Sequence, residues 1–125
     1  MKELTRSEEQ IMQILWKIGK GFVNDVLDRL PEPKPAYNTV STIVRILEKK
    51  GFVKYTAFGK SHQYYPAITK KEYTRTYLRR FVYNYFGNSY KEMVSFFTQE
   101  ENLSMEEMDE IRKFMKDQIK KSKQG

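Results

Sequence analysis

Apolar side chains recur at helical spacing almost from the start of the chain. Ile11, Ile14, Leu15 and Ile18 share one stripe, widened by Met12 and Trp16, and this 3.6-residue period predicts an amphipathic helix over about 6–18. Thr5-Arg6-Ser7-Glu8 just ahead of it is a capping-box sequence, in which the Thr5 oxygen accepts from the amide three residues on while Glu8 reaches back. Gly19 and Gly21 end the period. Val23, Val26, Leu27 and Leu30 resume it for a short helix over about 22–30, which Pro31, Pro33 and Pro35 cannot continue. That proline cluster reads as a stiff turn. From Ala36 to Gly51 a third helix puts Val40, Ile43, Val44 and Leu47 on one face, with Gly51 at its C-cap position. The period then changes to that of strands. Phe52 to Phe58 and Ser61 to Tyr65 are aromatic and β-branched runs on either side of Gly59-Lys60, a hairpin tip, and Pro66 closes the second. Three helices followed by a hairpin is the order of a winged helix.

The remainder reads as helical. Thr69-Lys70-Lys71-Glu72 is a second capping box and opens a helix over about 70–86 whose stripe is Tyr73, Tyr77, Leu78, Phe81, Val82 and Tyr85. A fifth helix over about 89–99 carries Tyr90, Met93, Val94 and Phe97. A third capping box, Ser104 to Glu107, starts a sixth with Met108, Ile111, Met115 and Ile119. The expected fold is therefore mostly α with a small β-hairpin wing: a winged helix-turn-helix DNA-binding domain over 1–68 and a helical dimerisation domain over 69–125. A 57-residue helical segment is too short to bury so many large apolar groups by itself. A symmetric partner is the simplest cover, which assigns Tyr73, Tyr77, Phe81, Tyr85, Met93, Phe97, Met108, Ile111 and Met115 to a homodimer interface. The same aromatic and Met content is also what lines a small-molecule pocket, and a ligand-gated regulator is the alternative.

Charge is unevenly spread along the chain. Residues 1–33 carry 5 basic and 6 acidic side chains, 34–80 carry 11 and 2, 81–119 carry 4 and 8, and 120–125 carry 3 and none. The chain's net charge of +7 thus conceals a +9 block that begins just before the third helix and includes the hairpin. Such a block is the electrostatic footprint of a nucleic-acid partner, because phosphate neutralisation supplies most non-specific affinity. The outward face of the third helix matches it. Tyr37, Asn38, Thr39, Ser41 and Thr42 occupy its first turns and Arg45 and Lys49 its last, whereas ordinary exposed helix faces use Glu, Lys and Gln. A recognition helix enters the major groove N-terminus first, so the short polar groups would meet base edges or nearby phosphates and the two cations the backbone of double-stranded operator DNA. Asn pairs with adenine bidentately, and Ser or Thr serves several bases. On the wing, Lys60, with Lys54 and His62, is placed for phosphates or the minor groove. A winged helix that binds only protein has the same outline, and low-salt DNA binding separates the two readings.

Other chemistries are removed by inventory. With no Cys and a single His, the chain cannot build a thiolate or multi-His metal site, a disulfide or a cysteine nucleophile. The acidic pairs at 8–9, 100–101 and 106–107 stand near helix starts and ends, and no phosphate loop, Ser–His–Asp order or carboxylates at metal spacing occur, so no enzyme and no cofactor is expected. No apolar run approaches the roughly 20 residues of a membrane span, and Met1-Lys2-Glu3-Leu4 does not open a signal peptide. A cytoplasmic protein without membrane insertion is expected.

Particular residues also resemble a known family. Leu4-Thr5 through Glu8, Ile11-Met12, Leu15-Trp16, Tyr37 to Thr42 with Arg45, Leu47 to Gly51, Gln63-Tyr64-Tyr65-Pro66, and the late Leu103-Ser104 with Glu106-Glu107 and Ile111 are similar to the penicillinase repressor family of bacterial regulators. The resemblance covers nearly the whole chain. It implies a homodimeric repressor whose winged helix binds an inverted-repeat operator. In the β-lactam branch it further implies a membrane sensor protease as the upstream signal, with cleavage in the dimerisation helices and loss of the dimer. The scissile position would align near Phe96-Phe97, where the family often has Asn-Phe. The family's usual Gly-Arg at the wing is Gly59-Lys60 here, which keeps the charge and loses the bidentate fork. The copper branch carries C-terminal Cys ligands, and this chain has none.

Overall fold

A computed structural model describes residues 1–124. The order is α1 (Arg6–Ile18), α2 (Val23–Arg29), α3 (Tyr37–Lys49), β1 (Val53–Phe58), β2 (Ser61–Pro66), α4 (Lys70–Phe86), α5 (Tyr90–Glu100) and α6 (Met105–Gln124). The expected mostly helical fold with a single hairpin is what the chain adopts. The two strands pair antiparallel with Phe58 opposite Ser61 and Val53 opposite Pro66. Gly21 adds a bridge to this sheet, its amide donating to the Tyr64 carbonyl at 2.9 Å and its carbonyl accepting from the Tyr64 amide at 2.8 Å.

The chain divides into two compact units, Met1–Leu78 and Arg79–Gly125, with the division inside α4. The first unit has a continuous core. Ile11, Met12 and Leu15 of α1, Val26 of α2, and Val40, Val44 and Leu47 of α3 meet Phe52 and Val53 there, all at 2% exposure or less. Helix α3 ends as its glycine demands: Gly51 has φ +84°, its amide donates to the Glu48 carbonyl at 3.0 Å, and the Phe52 amide donates to Leu47 at 2.9 Å. That paired return leaves no strain only for a residue without a Cβ, and it turns Phe52 into the core. Tyr73, the fourth residue of α4 and within the expected helical domain, belongs to this same core. It is 7% exposed and lies edge-on to Phe52 and tilted against Trp16, whose indole N–H donates to the Ile68 carbonyl at 2.9 Å. The start of α4 is thereby seated on the winged helix.

All three capping sequences start a helix, the first as a complete box and the other two through the N-cap oxygen. Thr5 and Glu8 exchange both hydrogen bonds, the Thr69 oxygen accepts from the Glu72 amide at 3.1 Å, and the Ser104 oxygen accepts from the Glu107 amide at 3.0 Å. Glu8 does more than cap. It is 4% exposed, and one carboxylate oxygen accepts both from the Thr5 amide at 2.8 Å and from Lys50 Nζ at 2.7 Å, fastening the start of α1 to the end of α3. Burial by itself raises this carboxyl, but the hydrogen bonds from Lys50 and Thr5 outweigh it and hold the pKa below the ordinary 4.5. A depressed carboxylate stabilises the fold fully above its unfolded value and loses that contribution as pH falls through its folded value. Lys50→Ala should therefore cost about 1.5–3 kcal/mol at pH 7, the range for losing a hydrogen bond to a charged group. In urea unfolding the cost should shrink once pH drops well below 4.5. An equal cost at pH 7 and at acid pH would remove the pair from the account of stability.

Candidate nucleic-acid interface

Helix α3 turns its buried face, Val40, Val44 and Leu47, into the core, and that fixes the opposite face outward. Tyr37, Asn38, Thr39, Thr42, Arg45 and Lys49 are exposed and Ser41 is half-buried. Ala36 caps the helix with no side-chain hydrogen bond, so no side chain occupies the Tyr37 and Asn38 amides, donors of the kind that suit a phosphate. Thr42 commits its side chain to its own helix. Its hydroxyl donates to the Asn38 carbonyl at 2.8 Å, which leaves the oxygen lone pairs to accept from a base amino group and the methyl to pack on a thymine.

Five of the nine residues assigned to DNA from sequence come together in one cleft. Tyr37, Ser41 and Arg45 of α3 form one wall and Lys60 and His62 of the wing form the other, around a volume of about 530 Å³. Asn38, Thr39, Thr42 and Lys49 do not line the cleft and lie on the same helix beside it. The wing is stiffened by stacking: the Tyr55 and His62 rings lie 3.9 Å apart and 7° from parallel, which holds His62 toward the cleft. Gly59, at the tip, has φ +61°, a conformation that makes the tight reversal before Lys60 accessible. Tyr64 closes the cleft floor at 5% exposure, and burial, with the Glu48 charge adding to it, raises its phenol pKa, so the ring stays neutral there.

The start of α2 also lines the cleft, and no sequence signal marked it. Phe22 meets Phe58 of the wing edge-on at 5.9 Å, and Asn24 is exposed beside them. Asp25 is the cleft's single acid, and its carboxylate accepts from the Phe22 amide at 2.8 Å, an N-terminal cap for α2. The far end of α2 is capped by Lys34, whose Nζ donates to the carbonyls of Leu27, Asp28 and Leu30 at 2.8–3.1 Å. Both ends of the helix that abuts α3 are therefore fixed by side chains.

The second unit is built differently. Among its described residues only Val82 is buried. The residues assigned to dimerisation there are mostly exposed: Phe81 36%, Tyr85 72%, Phe97 45%, Met108 39%, Ile111 42% and Met115 53%, with Met93 half-buried. Phe114, at 59%, joins them from α6 without having been marked by the stripe. Of the two assigned residues in the first unit, Tyr77 is exposed, whereas Tyr73 is covered by its own chain's core. Phe96 and Phe97 lie in the middle of α5, and Phe81, Phe86, Met93, Val94, Phe96 and Phe97 surround a hollow of about 440 Å³. No group of His, Asp and Glu that could hold a metal occurs among the described residues, and no described helix is long and apolar enough to cross a membrane.

Comparison with known proteins converges on one family. The family model described as penicillinase repressor matches residues 4–117. The methicillin resistance regulatory protein MecI of Staphylococcus aureus (strain N315) is 24% identical over 114 residues, covering 90% of this chain and 93% of that protein. The penicillinase repressor of Bacillus licheniformis is 23% identical over 123 residues, covering 98% and 96%. An uncharacterised 16.5 kDa protein of Latilactobacillus sakei is 33% identical over 72 residues, covering 56% of this chain and 49% of its own length.

Proposed function

The chain belongs to the penicillinase repressor family, and from that membership we propose that it is a transcriptional repressor that binds an inverted-repeat operator as a homodimer and does no catalysis. The observation that carries this reading is the cleft in which Tyr37, Ser41 and Arg45 of α3 face Lys60 and His62 of the wing, a concave basic surface beside a helix whose outward residues are short and polar. In this reading α3 lies in the major groove, with Asn38, Thr39, Ser41 and Thr42 at base edges and Tyr37, Arg45, Lys49, Lys60 and His62 on the backbone. The exposed apolar faces of α5 and α6 support pairing of two such chains. Repression is relieved by loss of the dimer. A membrane sensor protease that cuts at Phe96-Phe97 would achieve this, and because that bond lies inside α5, the helix must open locally before it can be cut.

Binding of the protein to DNA from its own upstream region, compared with random duplex, tests the reading. Arg45→Ala and Lys49→Ala should weaken binding to both DNAs alike. Asn38→Ala and Thr42→Ala should cost about 1–3 kcal/mol on the operator and little on random DNA. Equal losses for all four variants on both DNAs would remove the division between base readout and backbone contact.

The aromatic hollow of about 440 Å³ around Phe81, Phe86 and Phe96 favours one second reading, a regulator gated by a small hydrophobic compound. An aromatic ligand that changes operator affinity while the chain stays intact would select it over proteolytic relief.

A further inference from the structure

The winged-helix unit has a second concavity that shares no lining residue with the cleft between α3 and the wing. It holds about 850 Å³, within the range of small-molecule sites, and is walled by α1, the last residue of α2, the end of β2 and the start of α4. Lys17, Arg29 and Lys70 stand around it, and Ile14, Trp16 and Pro66 form its apolar side. No carboxylate lines it, and none of the three cations is ion-paired among the described residues. Like charges gathered at one concave surface repel, and a bound anion relieves that repulsion. The apolar side is rigid. Trp16 is held by its hydrogen bond to Ile68 and by the Tyr73 ring 5.7 Å away, so its one donor is already used and the ring offers only an apolar surface.

We propose that this concavity binds a small organic anion: a carboxylate or phosphate held by Lys17, Arg29 and Lys70, joined to an aromatic or aliphatic body that rests on Trp16. Arg29 can take the oxygens in pairs, which the two lysines cannot. The DNA backbone is the competing source of phosphate, and placement argues against it. The DNA cleft uses the first residues of α2, whereas Arg29 is the last residue of that helix. The site does not rest on the operator reading and stands or falls separately from it.

Trp16 is the chain's only tryptophan, so its fluorescence reports occupancy of this site in the full-length protein. Phenyl phosphate should change it saturably, and benzyl alcohol, a neutral aromatic of similar size, should not. Arg29→Gln should weaken phenyl phosphate about tenfold, the loss of one charge-assisted contact, while Lys60→Gln on the wing leaves it unchanged. Both side chains are exposed, so folding is not at issue. The proposal is overturned by no saturable change up to about 10 mM, an affinity too weak for a built site, or by equal weakening in the two variants, which marks general surface charge. Inorganic phosphate binding as tightly as phenyl phosphate would remove the apolar side from recognition. Displacement of the probe by random duplex, with Arg29→Gln weakening duplex binding as much as Lys60→Gln does, would make the concavity a backbone contact instead.

Discussion

Affinity for duplex DNA should fall about 10³- to 10⁵-fold between roughly 50 and 200 mM salt, the loss expected when six to ten phosphate contacts give up their released counterions. The estimate starts from exposed cations beside the cleft. Arg45, Lys49, Lys54 and Lys60 are all exposed on α3 and the hairpin, and two copies of that set reach the upper half of the contact range. Asp25 is the one acid lining the cleft, and its charge is partly taken up by the Phe22 amide, so little on the protein competes with DNA for these groups. The slope of log affinity against log salt also counts copies. Each phosphate contact contributes about 0.9 to it, so Lys60→Ala should lower the slope by about 1 if one chain binds and about 2 if a pair binds. A slope near zero at low salt would set aside DNA altogether and leave the winged helix as a protein-binding module.

The extent to which this molecule could be read from sequence depended on the range over which each interaction acts. Local signals were legible. The stripe from Ile11 to Ile18, the capping boxes at Thr5, Thr69 and Ser104 and the stop at Gly51 are contacts between residues three to five apart, and the helices begin and end where they indicate. Long-range partners were not legible. Glu8 reads as a capping residue, and nothing near it announces that Lys50, 42 positions away, will hold the same oxygen. The same holds for the Gly21 bridge to Tyr64. Lys34 is a local exception: it is only four to seven residues from the carbonyls it caps, but the proline-rich turn around it carries no helical period to indicate that its chain folds back on α2. Tyr73 shows the limit most clearly. Periodicity identifies it as apolar on its helix but cannot say what covers it, and the cover is Trp16 and Phe52 of its own chain. At the candidate site, sequence chose the outward face of α3 and the wing from charge and side-chain size. It missed Phe22 and Asn24, because their place at the cleft depends on α2 being brought against the wing, where Phe22 meets Phe58.

If two copies pair through α6 to hold an operator, as proposed, replacing Ile111 and Met115 together by Asp should convert that dimer to monomer and lower operator affinity by about 10²- to 10⁴-fold, the gain that linking two binding modules ordinarily supplies. Both residues are on α6, 42% and 53% exposed, so within one chain they have little packing to lose. Across a symmetric interface each Asp would face an apolar surface without a partner for its charge, at a cost of several kcal/mol per buried ion. Helix α6 begins with Glu106 and Glu107 and ends with Lys121 and Lys123, charges that suit its own dipole. The two substitutions should therefore leave far-UV helicity nearly unchanged while sedimentation shows the halved mass. The winged helix keeps its core in this variant, so contacts of a single copy with random DNA should persist and its salt slope should fall to about half. That combination separates loss of pairing from loss of folding. A variant that remains dimeric would move the interface to another face of the helical unit, for which Phe96, Phe97 and Tyr85 are the exposed candidates. A monomer that still binds the operator at full strength would show that pairing is not what holds this protein on its DNA, and relief of repression by breaking the dimer would fall with it.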